Sequence, residues 1–286
     1  MTRLRCAGSG ITIKFDEKVR NMAESELVIT GLVAREVNTG EADRYLTILT
    51  SEQGKVECFA KGIRNQKSKL QSTAHLLTYG EYKLFQSKNR YILTSGKAIE
   101  TFFNIRTDVE KYAYAVHFLE IARDVTMEGQ PFPEALQTIL NTLHVLTYRD
   151  FNNKLTARVY EARMLALSGF APALEHCAVC GRPVDSNKGK HRFTIAESGL
   201  LCDDEGCLGS DRDAVFISAG TVRALQFFAS CPPKNLFQFQ LSDDILEELS
   251  LVIPQYLRHH MEKPYTKLHE VERYQLFEQE MHYTKR

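Results

Sequence analysis

The chain has 286 residues, with 36 Lys+Arg against 36 Asp+Glu and 43% hydrophobic residues. That length suits about two domains with a sizeable core. The apolar content and zero formal charge exclude a wholly disordered chain, and 16 Gly with 8 Pro exclude a collagen-like one. Neutrality also excludes a polycation that coats nucleic acid over its whole surface, but not a local basic patch, because fields act over roughly 10 Å.

No stretch approaches the roughly 18–20 apolar residues that span a bilayer, so no membrane partner is expected. Near the N-terminus, Lys14, Asp16, Glu17 and Lys18 interrupt any secretory h-region. Seven cysteines is an odd number; four fall within 177–207 while Cys6, Cys58 and Cys231 are scattered. That is not a secreted disulfide framework, and a reducing cytoplasm is expected.

Residues 1–23 lack clean periodicity and read as a flexible extension. Met22 offers a second reading, in which translation starts there. From Glu26 to about Phe103 the pattern is β. Leu27–Ala34 is apolar and β-branched and runs into the turn signal Asn38-Thr39-Gly40. Tyr45–Thr50 is a second strand, Val56–Ala60 a third, and Tyr82–Gln86 with Tyr91–Thr94 a hairpin around Lys88-Asn89. Five short strands with no long helix predict a small closed barrel, the OB-fold foremost. Periodicity alone leaves an SH3-like barrel or an open meander open.

After Arg106 the period becomes helical. Asp108 caps a predicted helix with Tyr112, Val116, Leu119 and Ala122 on its apolar face. Pro133 opens a second, faced by Leu136, Ile139, Leu140, Leu143 and Leu146. A third spans Lys154–Ser168, with Leu155, Val159, Ala162 and Leu165 inward and Gly169 as its stop. Helices resume at Thr221–Ala229 and Ile245–Met261, the latter interrupted or kinked at Pro254. A last amphipathic stretch covers Leu268–Met281. The expected fold class is α+β and multidomain: a five-stranded OB-fold β-barrel over 24–104, then an α-helical domain over 105–286. That domain carries a zinc-finger-like insertion with four cysteines at about 174–210.

The sharpest chemical signal is Cys177-Ala178-Val179-Cys180-Gly181 with Cys202 and Cys207. Two thiolates two residues apart can hold one ion from a tight turn, and the following Gly frees backbone amides to face sulfur. A second cysteine pair completes a tetrahedral Zn²⁺ site of structural type. The second half has four intervening residues, looser than the common two. Free thiols and a CxxC redox pair compete with the zinc reading; His176 and His191 are substitute ligands or ordinary surface residues.

Charge segregation is the second signal. Between Gly54 and Lys97 nine basic residues meet two acidic ones, a net +7. The densest run, Lys61 to Lys69, holds Lys61, Arg64, Lys67 and Lys69 between two strands, with Lys88 and Arg90 beyond. These six form the candidate phosphate-binding set. Tyr45, Phe59, Tyr82, Phe85 and Tyr91 stack on bases if they face outward, although β alternation puts most of them in a core. The bland reading of the charge run is a solvated edge that resists aggregation.

Catalytic signals are weak. Gly54-Lys55 and Gly96-Lys97 lack the upstream glycine of a P-loop, and no HExxH or GxSxG occurs. His259-His260 are adjacent on a helix and diverge by about 100°. Asp243, Asp244, Glu247 and Glu248 after Ser242 suit a capped, dipole-matched helix start better than a nuclease centre.

Several segments together resemble the RecO family of bacterial DNA repair proteins. They are Leu27–Val33, Asn38–Asp43, Ala60-Lys61-Gly62-Ile63-Arg64, Ser68-Lys69-Leu70, Tyr160–Leu165, and Gly169–Pro172 leading into the first cysteine pair. The resemblance runs from about Glu24 to the C-terminus and is vaguer over the last 75 or so residues. It implies an OB-fold on a helical domain with a zinc insertion. It implies binding of single- and double-stranded DNA, strand annealing, and, with RecR, loading of RecA onto strands coated by single-strand binding protein. It implies a mediator rather than a hydrolytic enzyme. The wide Cys202/Cys207 spacing and the residues before Met22 depart from the family pattern. Arg158 and Arg163 are a fallback DNA site or, the preferred reading, partners of Glu161 and its neighbours. An alternative function is a zinc-containing RNA-binding or translation-associated OB protein.

Overall fold

A computed structural model describes residues 26–87, 90–210 and 213–268. The residues before Glu26, including Met22, lie outside them, as do Lys88 and all but the start of the stretch 268–281.

Five strands open the fold: β1 (Glu26–Thr39), β2 (Asp43–Thr50), β3 (Lys55–Ala60), β4 (Tyr79–Ser87) and β5 (Arg90–Glu100). They close into a barrel in the order β1-β2-β3-β5-β4, with β3 and β5 parallel and the other pairs antiparallel. This is the OB order, which decides among the barrels that periodicity had left open. Strands β1 and β5 are longer than expected, because β1 pairs with β4 along its first half and with β2 along its second. Ile29, Val33, Leu46, Ile48, Val56, Cys58, Tyr82, Leu84 and Leu93 fill the interior.

Among the described residues, seven α-helices and a second sheet follow: α1 (Phe103–Arg106), α2 (Val109–Val125), α3 (Pro133–Tyr148), α4 (Asn153–Leu167), β6 (Ala173–Cys177), β7 (Lys190–Thr194), β8 (Gly199–Leu201), α5 (Glu205–Leu208), β9 (Val215–Ser218), α6 (Ala219–Ser230) and α7 (Asp243–Met261). The caps match their residue types: Asp108 accepts from the Lys111 amide, Pro133 sits in the first turn of α3, and Gly169 takes φ +88 just past α4. Strands β6–β9 form a four-stranded sheet in the order β6-β8-β7-β9. Sequence patterning does not find it, because strands of three to five residues are too short to show a period.

Helix α4 is the centre of the bundle and touches α2, α3, α6 and α7. The pattern predicts one inward face, yet all of Leu155–Leu165 is buried, Arg158, Glu161 and Arg163 included. The charges are tolerated because each is met: Glu161 lies 3.3 Å from Arg158 Nε and 2.7 Å from His117 Nε2. Arg163 donates to the carbonyls of Phe228 and Ala229. On α2, Tyr112 is exposed and Val116 only half-buried; the buried face runs through Tyr114, Phe118, Ile121 and Ala122. The expected face is rotated because α2 packs on the barrel as well as on α4. Helix α7 is continuous through Pro254, and the Ser242 side chain makes no cap hydrogen bond.

The barrel and the bundle share one core. Leu32, Ala34, Leu49, Leu77 and Tyr79 from the barrel join Phe118, Leu119 and Ile139. The turn between β2 and β3 is pinned to the α2–α3 connection: Lys55 N donates to Met127 O (3.1 Å), Gly129 N to Gln53 O and Phe132 N to Ser51 O. Gly54, at φ +60, lies in this joint, and a Cβ there would sit 2.1 Å from Met127 O and 2.4 Å from Gln130 O. Gly54→Ala is therefore expected to cost on the order of 3 kcal/mol. A fall in the thermal midpoint is the readout; an unchanged midpoint would mean that the joint yields easily.

Candidate nucleic-acid interface and metal centre

The connection Lys61–Thr78 between β3 and β4 carries the basic run. Long loops without their own core are usually mobile, but this one is stapled to the barrel. Ile63 and Ala74 are buried in the barrel interior, with Leu70 packed against it. The Gly62 amide, at φ +64, donates to Asp43 Oδ1 (2.6 Å), and the Arg64 amide to Ala42 O. At the far end the Leu76 amide donates to Glu36 Oε2, Arg106 donates to Leu76 O, and Tyr82 Oη donates to the carbonyls of Thr73 and Thr78.

Held this way, Lys61, Arg64, Lys67 and Lys69 are all exposed, as is Arg90 at the start of β5. Among the described residues none of these five enters an ion pair. Lys55, from the same charge run, is instead spent on Arg123 O (3.2 Å). Lys88 lies outside the described residues.

The aromatic candidates divide. Tyr82 is buried, and Tyr91 is half-buried against the barrel interior. Tyr45, Phe59 and Phe85 face outward, and the Arg90 guanidinium lies 5.3 Å from the centre of the Phe59 ring. Side-chain direction follows strand register, which the barrel closure sets and a linear pattern does not.

Arg158 and Arg163 are almost wholly buried and engaged within the bundle, as the intramolecular reading expected. The acidic start of α7 is partly committed too. Glu248 accepts from the Ser218 amide (2.8 Å), Ser218 Oγ and Thr221 Oγ1, capping α6. Burial pushes its carboxyl up, but these hydrogen bonds outweigh that and lower its pKa.

Cys177 ends β6, Cys180 closes the knuckle, Cys202 follows β8 and Cys207 lies on α5. Their four Sγ atoms lie within 4.8 Å of one another, with Cys180 and Cys202 at 3.7 Å. A tetrahedron with Zn–S bonds of ~2.3 Å has S···S edges of about 3.8 Å, so the cluster fits such an ion. The wide second spacing has a local cause. Asp204 caps a single helical turn, accepting from the Gly206 amide, and that turn needs two more residues than a knuckle to bring its cysteine back. Arg182 reaches across to Asp204 at 2.7 Å and ties the two halves together. His176 and His191 are not part of the cluster.

The site already favours thiolate at Cys177, and the Arg182 amide lowers the Cys180 pKa as well. Burial pushes Cys177 up, but the amides of Cys180, Cys202 and Val179 more than offset it and bring its pKa to about 6. Gly181, at φ +72, permits this turn. At Cys207 burial and neighbouring thiols push the pKa up to about 12.

The family model for the N-terminal part of recombination protein O matches residues 22–102, and that for its C-terminal part matches 106–269. The chain belongs to the RecO family. It is 40% identical over 242 residues to the DNA repair protein RecO of Acetivibrio thermocellus, covering 85% of this chain and 94% of that protein. It is 31% identical over 233 residues to the RecO of Moorella thermoacetica, covering 82% and 85%. It is 29% identical over 233 residues to that of Alkaliphilus metalliredigens, covering 82% and 93%. RecO membership places the protein in DNA repair and recombination. No described helix is long and apolar enough to cross a membrane.

Proposed function

We propose that this protein is a recombination mediator that binds single- and double-stranded DNA and anneals complementary strands. With RecR it helps load RecA onto strands coated by single-strand binding protein, in the bacterial cytoplasm. The observation that carries the reading is the stapled loop with four exposed cations, none in an ion pair among the described residues. Lys61, Arg64, Lys67 and Lys69, with Lys88 and Arg90, are assigned to phosphates. A loop fixed in advance loses little conformational entropy on binding. Cations placed between two strands lower their mutual phosphate repulsion, and base pairing then proceeds without any nucleotide being consumed.

The working division is a DNA-binding barrel over 24–104 and a helical unit over 105–286, which serves protein partners. Cys177, Cys180, Cys202 and Cys207 are assigned to a structural zinc ion. When bound, the ion cross-links β6, β8 and α5, which have only a small core of their own around Leu201.

The test is a strand-annealing assay across a salt series. Annealing faster than the spontaneous rate at low salt, falling steeply as salt rises, is expected. No acceleration at any salt refutes the mediator reading. Competition with RNA of the same sequence separates it from the RNA-binding alternative, because the barrel topology alone does not choose the sugar.

A further inference from the structure

The four cysteines of the candidate metal centre are not equivalent. Cys177 is 2% exposed and Cys207 4%, whereas Cys180 is exposed and Cys202 half-buried. Their backbones divide the same way. Cys177 ends β6, where its amide donates to Arg182 O (2.8 Å) and its carbonyl accepts from the Gly181 amide, and Cys207 lies on α5. Cys180 lies in a turn and Cys202 between β8 and α5, outside any strand or helix. The two accessible sulfurs are also the pair at 3.7 Å, and they come from opposite halves of the cluster. An oxidant arriving from solvent therefore meets two neighbouring thiols on irregular backbone, while the other two are shielded and held by regular structure. A disulfide of ~2.05 Å needs these two sulfurs to approach by roughly 1.7 Å, a shift that falls on the turn and the connection.

We infer that Cys180 and Cys202 form a reversible redox pair, which hydrogen peroxide joins as a disulfide that staples the insertion when metal is released. The inference rests on the assignment of zinc to this cluster and adds a second state of the same residues. The Cys180 thiolate attacks one peroxide oxygen. The O–O bond breaks, the sulfur is oxidised to a sulfenic acid, and the other oxygen takes up a proton and leaves as water. The Cys202 thiolate then attacks that sulfur. The S–O bond breaks, the S–S bond forms, and the hydroxyl takes up a second proton and leaves as water. Two electrons have passed from two thiolates to one peroxide. The Arg182 amide and guanidinium both reach the Cys180 sulfur, so positive charge lies where the departing oxygen gathers negative charge. A bridge within either half would have to use Cys177 or Cys207, both shielded. Joined across the halves, Cys180 and Cys202 close a loop containing β7 and β8 and tie the knuckle to the start of α5, beside the Arg182–Asp204 ion pair. Cys177 and Cys207 alone are too few for a tetrahedral site, so metal is released. The insertion thereby keeps a cross-link under oxidation, and a dithiol reductant with zinc restores the first state.

The experiment treats the freshly prepared full-length chain with hydrogen peroxide. A chromogenic chelator follows metal release, a 1,3-dione traps sulfenic acid, and peptide mass mapping after alkylation locates bridges. About one equivalent of zinc is expected to leave in step with one disulfide, Cys180–Cys202. The earliest dione adduct is expected on Cys180, with Cys177 and Cys207 alkylated only after denaturation. The oxidised protein should be cut within 173–218 about tenfold more slowly than reduced protein stripped by a chelator, because the bridge closes a loop in the opened state. A dithiol with zinc should reverse the disulfide and the metal loss together. A bridge within either half, a bridge to Cys6, Cys58 or Cys231, sulfinic acid at Cys180 without a bridge, or a cluster that peroxide leaves unchanged overturns the redox pair; zinc present at the start keeps the zinc assignment in each case. Fresh protein without zinc that still forms the Cys180–Cys202 bridge overturns the zinc assignment and keeps the pair, and fresh protein with neither overturns both. Cleavage as fast as in the stripped protein overturns the staple.

Discussion

Reversing two charges at once, as Lys67→Glu with Lys69→Glu, is expected to weaken DNA binding by about 10- to 100-fold at 0.1 M salt. The salt slope should fall by about 1.4 for a single strand, because each lost phosphate contact removes ~0.7 of a released counterion. Both side chains are exposed, and neither packs against the barrel interior, so folding should be untouched. Titrations of wild type and variant at several salt concentrations provide the check. A parallel slope would move the phosphate contacts off this loop. They cannot then fall back on Arg158 or Arg163, which are buried in the bundle. Lys83 and Lys97, exposed on β4 and β5, would be the next candidates.

The cysteine cluster is the second large effect. Freshly prepared protein is expected to carry about one equivalent of zinc, and Cys177→Ser or Cys202→Ser less than about half. Chelation should loosen residues 173–218, read as new protease cleavage there, while DNA affinity through the barrel persists. Structural zinc contributes several kcal/mol or more in small modules, so the change should be clear. The pH dependence has a defined sign. The Cys177 pKa is lowered from its ordinary 9.0 to about 6. Its thiolate therefore contributes stability in full above about pH 9, and that contribution is lost as pH falls through about 6. Cys207, raised to about 12, must give up a proton to bind. Zinc uptake should release protons, and zinc retention should fail on acidification. Less than half an equivalent in the wild type at neutral pH would count against a resident ion.

Much of this protein is legible from the chain alone. The apolar, β-branched run Leu27–Ala34 and the alternation of Val56, Cys58 and Ala60 with Glu57 and Phe59, bounded by turn residues, call for strands, because an extended backbone suits branched side chains and sorts alternating ones onto two faces. Pro133 and the Leu136–Leu146 spacing require a helix with one apolar stripe. The two cysteine pairs mark a candidate metal centre, because few other chemistries need four thiols so close in sequence. The excess of Lys and Arg between Gly54 and Lys97 announces a basic surface on an otherwise neutral molecule.

Other features were decided only by tertiary structure. Whether Tyr82 or Tyr45 faces solvent depends on register and closure, since a shift of one residue exchanges the two faces of a strand. Burial of Arg158, Glu161 and Arg163 depends on α4 being surrounded, and no helical period reports how many neighbours a helix has. The stapling of the basic loop depends on Asp43 and Glu36, remote in sequence from much of what they hold. Tyr45 and Phe59 meet on the outer face only because the register of β2 against β3 sets them opposite each other. The sequence determined the barrel strands, the long helices and the chemistry they carry, though not the short strands β6–β9, because the former follow from local backbone and side-chain preferences over enough residues to show a pattern. Only the fold decided which charges and rings meet solvent, because that depends on contacts between residues far apart along the chain.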